Sequence, residues 1–336
     1  MKAKEYMTVP FIYKLLIASA VFIFILVVAN VLGASKTSFN DVWLALLTNE
    51  SNNKLYMLRD IRFPRTVAAV FVGAALAVSG AIMQGLTRNP LADPGLLGLT
   101  TGANLALAIT IVFFPNANYF NIMIACFIGA AIGTLLVLSI GSAKKGGFSP
   151  LRIVLAGAAV TAFLGALTEG IAIYFKVSKN VSMWTAGGLI GATWEQILTI
   201  GPFILMGFLI SLLLAKQLTI LSLSEEVAVG LGQNTLTIKI ILFVVIIILA
   251  GAAVALVGNM AFIGLMVPHI VRAFVGNDYR FILPMSIIFG ASFMLLADLA
   301  GRTISAPYEI PVAAIISIIG LPFFLFIVRK GGKAFL

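Results

Sequence analysis

The chain has 336 residues, of which 61% are hydrophobic and only 10% charged, with a formal net charge of +10. Soluble domains carry about 25% charged residues, so this composition excludes a water-soluble fold and gives an integral membrane protein with the lipid bilayer as its solvent. One cysteine, Cys126, excludes an internal disulfide and a thiolate metal or redox centre. The cations sit mainly in short loops, where they set orientation rather than recruit nucleic acid.

A spanning helix needs about 20 mostly apolar residues. On that criterion the chain holds ten spans, at 11–33, 64–86, 95–114, 119–142, 150–174, 194–215, 237–257, 259–271, 281–303 and 310–329. The first apolar run, Phe11 to Leu32, follows Lys2, Lys4 and Lys14. It is too long for a signal-peptide core and carries no A-x-A-like cleavage site, so it reads as a retained span. The eighth span is too short to cross alone and must be tilted, broken or shielded.

An even number of spans puts both termini on one side. With that side cytoplasmic, Lys2, Lys4, Lys14, Arg88, Lys144, Lys145, Arg152, Lys216, Lys239, Arg272, Arg280, Arg329, Lys330 and Lys333 lie inside, 14 of the 22 Lys and Arg. The other 8 are Lys36, Lys54, Arg59, Arg62, Arg65, Lys176, Lys179 and Arg302. The majority satisfies the positive-inside rule, but Arg59, Arg62 and Arg65 cluster on the disfavoured side.

Between spans, the outer loop 34–60 contains F-N-D-V-W-L-A-L-L, an amphipathic pattern that lies on the membrane surface or on the bundle. Trp184 and Trp194 suit the membrane interface. In the inner loop 216–236, Ser224 precedes Glu225 and Glu226 as an N-cap precedes acidic first-turn residues. Gly230 and Gly232 then stop the helix. One or two short helices outside the membrane are expected there. Gly73–Gly80 (G-A-A-L-A-V-S-G) resembles Gly251–Gly258 (G-A-A-V-A-L-V-G) in spans of opposite direction. That is the pattern of an inverted repeat, although helix-packing glycines and alanines give a similar likeness.

Residues for chemistry are few. There is one histidine, His269, and no Ser/His/Asp set, H-E-x-x-H, Walker A or Gly-rich nucleotide loop. No catalytic, metal or cofactor site is expected, and the chain does not read as an enzyme. Glu169 and Asp298 lie inside spans and are candidates for a proton relay, the basis of an alternative reading as a proton-coupled secondary transporter of a small solute. Against it, Asp298 stands one helical turn before Arg302, a ready i,i+4 pair.

Two corners point to partner contacts. Asn89-Pro90 and Asp93-Pro94-Gly95 each interrupt a helix, so Arg88, Asn89, Pro90, Asp93 and Pro94 form a polar corner on the inner side, either a partner surface or a tight turn. Pro268 breaks the eighth span, and His269 and Arg272 emerge beside it; His269 lacks the companions of a metal ligand. On the outer side Arg62, Arg65 and Arg302 suit an acidic partner, because arginine binds carboxylates bidentately. Lipid phosphate or an internal pair such as Asp60 with Arg62 would use them equally.

The order of motifs is specific: R-x-P-R, G-A-A-L-A-V-S-G-A-x-M-Q-G, R-N-P-L-A-D-P-G-L-L-G, S/T-x-G-A, F-I-G-L-M-V-P-H-I-V-R, A-D-L-x-x-R and E-I-P-V. From about Arg62 to Phe324 the chain resembles the FecCD family, permeases of ABC importers for iron-siderophores, haem and cobalamin. The resemblance implies an all-α type II ABC importer permease fold of about ten transmembrane helices with an inverted pseudo-repeat, residues 1–336 forming one transmembrane domain. It implies a second permease subunit, two cytoplasmic ATPase subunits, an extracytoplasmic substrate-binding protein and a place in the cytoplasmic membrane of a bacterium. Among the substrates an iron-siderophore complex is favoured.

On the same resemblance, 216–236 is the coupling segment, with Leu221, Ser222, Ser224, Glu225, Glu226, Gly230 and Gly232 at the ATPase. Arg62, Arg65 and Arg302 match arginines that dock the binding protein. The path is expected to run past Gly/Ala-rich spans, with 73–85 a candidate wall and Met83 and Gln84 facing it. One departure stands at Gly258-Asn259-Met260-Ala261-Phe262-Ile263-Gly264, where the family usually has G-P-I-x-F-V-G.

Overall fold

Backbone groups inside a bilayer have no water to bond, so each apolar run closes its own hydrogen bonds as a helix. The computed structural model describes residues 10–33, 37–48, 52–142, 150–185 and 188–329, and among these residues it contains helices and no strands. Of the residues invoked for orientation, Lys2, Lys4, Lys36, Lys144, Lys145, Lys330 and Lys333 lie outside the described residues.

Ten helices coincide with the ten apolar runs: α1 (Phe11–Val31), α4 (Phe63–Thr87), α5 (Leu99–Phe113), α6 (Tyr119–Ser142), α7 (Pro150–Tyr174), α9 (Trp194–Leu213), α12 (Thr235–Val257), α13 (Ile263–Val275), α14 (Tyr279–Thr303) and α15 (Val312–Arg329). Five short helices connect them: α2 (Phe39–Leu47), α3 (Asn53–Met57), α8 (Ser178–Thr185), α10 (Ala215–Leu223) and α11 (Glu225–Gly230). Eight of the ten are long and apolar enough to cross a membrane, whereas α5 and α13 are shorter. At 15 and 13 residues they reach about 20 Å, less than the roughly 30 Å of hydrocarbon. The two halves of the chain repeat this order: a long, well-buried span, α4 or α12, is followed by a half-length helix, α5 or α13.

Helix α4 is the centre of the bundle. Gly73 meets Gly290 of α14, and Gly80 meets Gly264 of α13; a Cβ at either α4 position would stand 2.2 or 1.9 Å from the facing carbonyl oxygen. Glycine at these contacts lets backbones touch directly, and α13 and α14 therefore cover α4. Along 73–85, the candidate wall, Met83 and Gln84 are each only 2% exposed and face the interior of their own chain. Large apolar side chains cover the outside instead, such as Leu16 and Phe24 of α1, Leu135 of α6 and Ile318 of α15.

The described residues of loop 34–60 form a small helical unit. Ser38 and Asp41 form a capping box at the start of α2. Val42, Ala45, Leu55 and Leu58 make a satellite core between α2, α3 and the π-helical turn Leu58–Arg62 that leads into α4. At the opposite end of the bundle, Lys14 Nζ donates to Phe274 O at 2.7 Å and Phe11 packs on Phe281. The start of α1 thus lies beside the end of α13 and the start of α14. Phe323 of α15 packs against His269 of α13.

Candidate functional site

The end of α4 that begins with Arg62 carries a buried ionic network. Arg65 Nε donates to Asp298 Oδ1 at 2.8 Å, and its Nη1 donates to both Glu309 carboxylate oxygens at 3.0 and 2.8 Å. Arg302 Nε lies 2.9 Å from Asp298 Oδ2, an ionic contact off the line of a good hydrogen bond. Arg302 Nη2 donates to Ala29 O at 3.0 Å. Arg62 Nη1 donates to Asn30 O and to Thr37 Oγ1, and Thr66 donates to the Asn30 side chain. The i,i+4 pair expected from spacing is present, and Arg65 completes it from α4.

This network changes the reading of the three arginines. Arg62, Arg65 and Arg302 are 5, 7 and 4% exposed, and their guanidiniums bind α1, Thr37, α14 and Glu309 before α15 rather than open solvent. Buried charges need partners because desolvation is costly, and Asp298, Glu309 and the α1 carbonyls supply them. Residues that stand exposed beside the network are Ile304 and Tyr308. The proposed relay pair is not assembled: Asp298 is fully buried between two arginines, while Glu169 lies exposed on α7.

At the other end of α4, Gln84 organises the site. Pro268 lies inside α13 without breaking it. Its missing N–H would release Gly264 O; Gln84 Nε2 donates to Gly264 O at 3.3 Å and to Leu265 O at 3.1 Å. The Gln84 Oε1 accepts from Arg272 Nη1. The amide orientation is dictated by these partners, since the reverse would face oxygen to two carbonyls and nitrogen to a guanidinium. Arg272 Nη2 donates to Tyr279 Oη at 2.9 Å, and the guanidinium lies 5.8 Å from the Tyr279 ring centre. The Tyr279 N–H donates to Thr219 Oγ1 at 2.9 Å, and this hydroxyl lies 3.1 Å from Asp278 Oδ1. A continuous polar chain therefore joins α10, through Thr219, to the start of α13.

The corner between α4 and α5 folds back onto this start. Arg88 adopts left-handed geometry at the end of α4. Asp93 Oδ1 accepts from Gly95 N–H at 2.7 Å, and the Leu265 amide also favours its charged form. A carboxylate at the first turn of α13 satisfies amides that a helix start leaves open. Burial pushes the Asp93 carboxyl up to about 6, against the pull of those two amides. Arg88, Asn89, Pro90, His269 and Arg272 then line one cavity of about 180 Å³ with Gln84 and Ser222. Five of the seven expected inner-loop residues meet one coupling-segment residue, Ser222, in this cavity, whereas Asp93 and Pro94 do not line it.

The segment 216–236 forms α10 and α11. Ser224 caps α11 by accepting from Val227 N–H at 3.1 Å. The helix ends at Gly230, and Gly232 has φ +77°. Lys239 donates to Glu225 at 2.6 Å, which holds its carboxyl below the usual range. Glu226, Gly230 and Gly232 are exposed, whereas Leu221 is buried in the bundle and presents no surface. The exposed apolar groups are Leu223, Val227, Val229 and Leu231. Their alternation with glutamates and glycines was a visible amphipathic signal, but a buried and an exposed leucine look alike in sequence. Thr219, Asp278 and Tyr279 carried no signal, because their partners are distant in the chain.

Comparison with known proteins gives one answer. Residues 20–330 match the model of the FecCD transport family. The iron(3+)-hydroxamate import system permease protein FhuB of Bacillus subtilis is 43% identical over 302 residues, covering 89% of this chain and 78% of that protein. The Fe(3+)-citrate import system permease protein YfmD of the same organism is 41% identical, covering 94% of each. The hemin transport system permease protein HmuU of Yersinia pestis is 39% identical, covering 89% of this chain and 90% of that one. A solved inward-facing structure of an ABC transporter assigned to the metal-chelate type superposes with a TM-score of 0.81 at 26% identity, covering 95% of this chain and 99% of that chain. Motifs, architecture and these relatives agree: the chain is a multi-pass membrane protein that belongs to the FecCD transport family.

Proposed function

We propose that this chain is the permease subunit of an ABC importer that carries an iron-siderophore complex across the cytoplasmic membrane of a bacterium. A second permease chain, identical or related, completes the path. Two ATPase subunits dock at α10–α11 and supply the energy, and an extracytoplasmic binding protein delivers cargo at the Arg62 end. The observation that carries this reading is the polar chain from Thr219 through Tyr279 and Arg272 to Gln84 and Gly264. It links a segment with exposed apolar groups to the start of a half-length helix inside the bundle, as a permease driven from one face requires.

We infer the orientation from the charges. Arg62, Arg65 and Arg302 oppose the positive-inside rule only while they count as loop charges. With Arg65 and Arg302 buried against Asp298 and Glu309 and Arg62 buried against Asn30 O and Thr37, they leave the vote. The positive-inside rule then favours the start of α1, the end of α15 and α10–α11 on the cytoplasmic side. The buried arginines act in docking by shaping the outer face rather than by direct contact. The test is reconstitution with the cognate ATPase and binding protein: uptake of ferric siderophore should require all three components and ATP, and uptake without the ATPase would overturn the proposal.

A further inference from the structure

The two ends of α4 treat their arginines differently. At the Arg62 end, Arg65 and Arg302 share the carboxylates of Asp298 and Glu309. At the other end, Arg88 and Arg272 line one cavity, and among the described residues neither lies within ion-pair distance of a carboxylate. Arg272 is half-buried, and its guanidinium donates to two neutral oxygens, Gln84 Oε1 and Tyr279 Oη. Carboxylates of the surrounding segments are engaged with other groups. Asp278 pairs with Arg280 at 2.6 Å and Glu225 with Lys239 at 2.6 Å, while Asp93 accepts from the Gly95 amide. Arg88 helps to hold the Glu225 carboxyl low without forming a pair with it.

The rest of the wall includes Asn89, Ser222, His269 and Asn277 and no carboxylate. Two guanidiniums among neutral hydrogen-bonding groups suit an oxyanion, and a half-buried guanidinium gains most from one that also excludes water. The place of the cavity selects the oxyanion. Ser222 and Leu223 stand at the end of α10, directly before α11 with its exposed Val227, Val229 and Leu231. Arg88, Leu223 and Asn277 are exposed at the rim. A protein seated on α11 therefore meets the mouth of the cavity. A side chain of that protein does not give up translational freedom a second time, whereas a free ion does.

We propose that the cavity between Arg88 and Arg272 receives an Asp or Glu side chain of the ATPase subunit, a second contact beside the apolar one on α11. This rests on the permease reading above and names the chemistry of the partner's contact. Two of the five N–H donors of Arg272 are used by Gln84 and Tyr279, which leaves donors for a carboxylate. Gln84 in turn holds the Gly264 and Leu265 carbonyls. A carboxylate on Arg272 thus joins the ATPase to the start of α13 through two side chains.

The test measures the affinity of the purified cognate ATPase for the permease pair in nanodiscs across a salt series. Arg88 and Asn277 are exposed, so their variants should keep the wild-type unfolding temperature. Arg88→Gln should weaken binding by about two- to fivefold and flatten its salt dependence. Arg88→Glu and Asn277→Asp put a negative charge into the wall and should weaken binding by about tenfold or more. Each Asp and Glu on the permease-facing side of the ATPase is then changed to Lys in turn, and one such variant should restore binding to Arg88→Glu. The proposal is overturned if Arg88→Glu and Asn277→Asp bind as the wild type does while Val227→Asp does not bind. It is equally overturned if no Lys variant of the ATPase restores Arg88→Glu, which would make the cavity a site for a free anion. Either result leaves docking on α11 standing. A wild-type permease that binds no ATPase would instead overturn the permease reading.

Discussion

Gln84 replaces the backbone donor that Pro268 lacks. Its Nε2 reaches Gly264 O, the carbonyl one turn before the proline, while its Oε1 receives Arg272. One side chain thus keeps α13 helical through Pro268 and ties it to the cation that leads to α10. Gln84→Ala leaves two buried carbonyls and a guanidinium short of partners, at a cost of about 1–3 kcal/mol. Pro268→Ala restores an N–H at that carbonyl, so the Gln84→Ala cost should shrink by about 1 kcal/mol in that background. A double-mutant cycle of unfolding in detergent measures it; additive costs would separate the two residues.

Arg65 joins α4 to Asp298 and Glu309. Asp298 is fully buried, and removing one partner of a buried pair typically costs about 3–5 kcal/mol. Arg65→Ala should therefore lower thermal stability sharply, and Arg65→Ala with Asp298→Ala should recover part of it. Tyr308→Ala, at a residue 80% exposed, should leave stability unchanged while weakening association with the binding protein in a pull-down.

Asp93 supplies a pH signature. Its folded-state value, raised by burial to about 6 from an ordinary 3.8, means that the folded state favours the protonated form. Stability from this group is greatest below about pH 4 and declines as pH rises to about 6. Asp93→Asn keeps an acceptor for the Gly95 and Leu265 amides without a charge, so its unfolding temperature should fall less between pH 5 and pH 7.5 than that of the wild type. Parallel pH profiles would assign the effect elsewhere.

The coupling segment separates docking from transmission. Val227→Asp and Leu231→Asp, on exposed positions, should change stability by no more than about 0.5 kcal/mol while abolishing co-purification of the ATPase. Thr219→Val removes the hydroxyl that joins α10 to Tyr279 and Asp278. It should retain the ATPase but lower cargo moved per ATP, measured in proteoliposomes.

All ten apolar helices, eight of them long enough to span, were legible from the sequence because the demand on a lipid-embedded backbone is local: enough apolar residues, wherever they fold. The Ser224 cap was legible for the same reason. What was hidden is pairing over distance. Arg65 meets Asp298 and Glu309 across 233 and 244 positions, and without those partners its place on the disfavoured side suggested surface contact. Gln84 was placed at the path with the Gly/Ala-rich span 73–85, and the carbonyls it bonds lie 180 positions away. The glycines of α4 announced a close approach, but not that α13 and α14 make it.

The most direct measurement is uptake of ferric siderophore into proteoliposomes holding the permease pair, its ATPase and its binding protein, with internal ATP held constant while the proton gradient is collapsed by an ionophore. The account predicts that uptake continues at its full rate and stops when ATP is withdrawn. Uptake that ends with the gradient while ATP remains would contradict it.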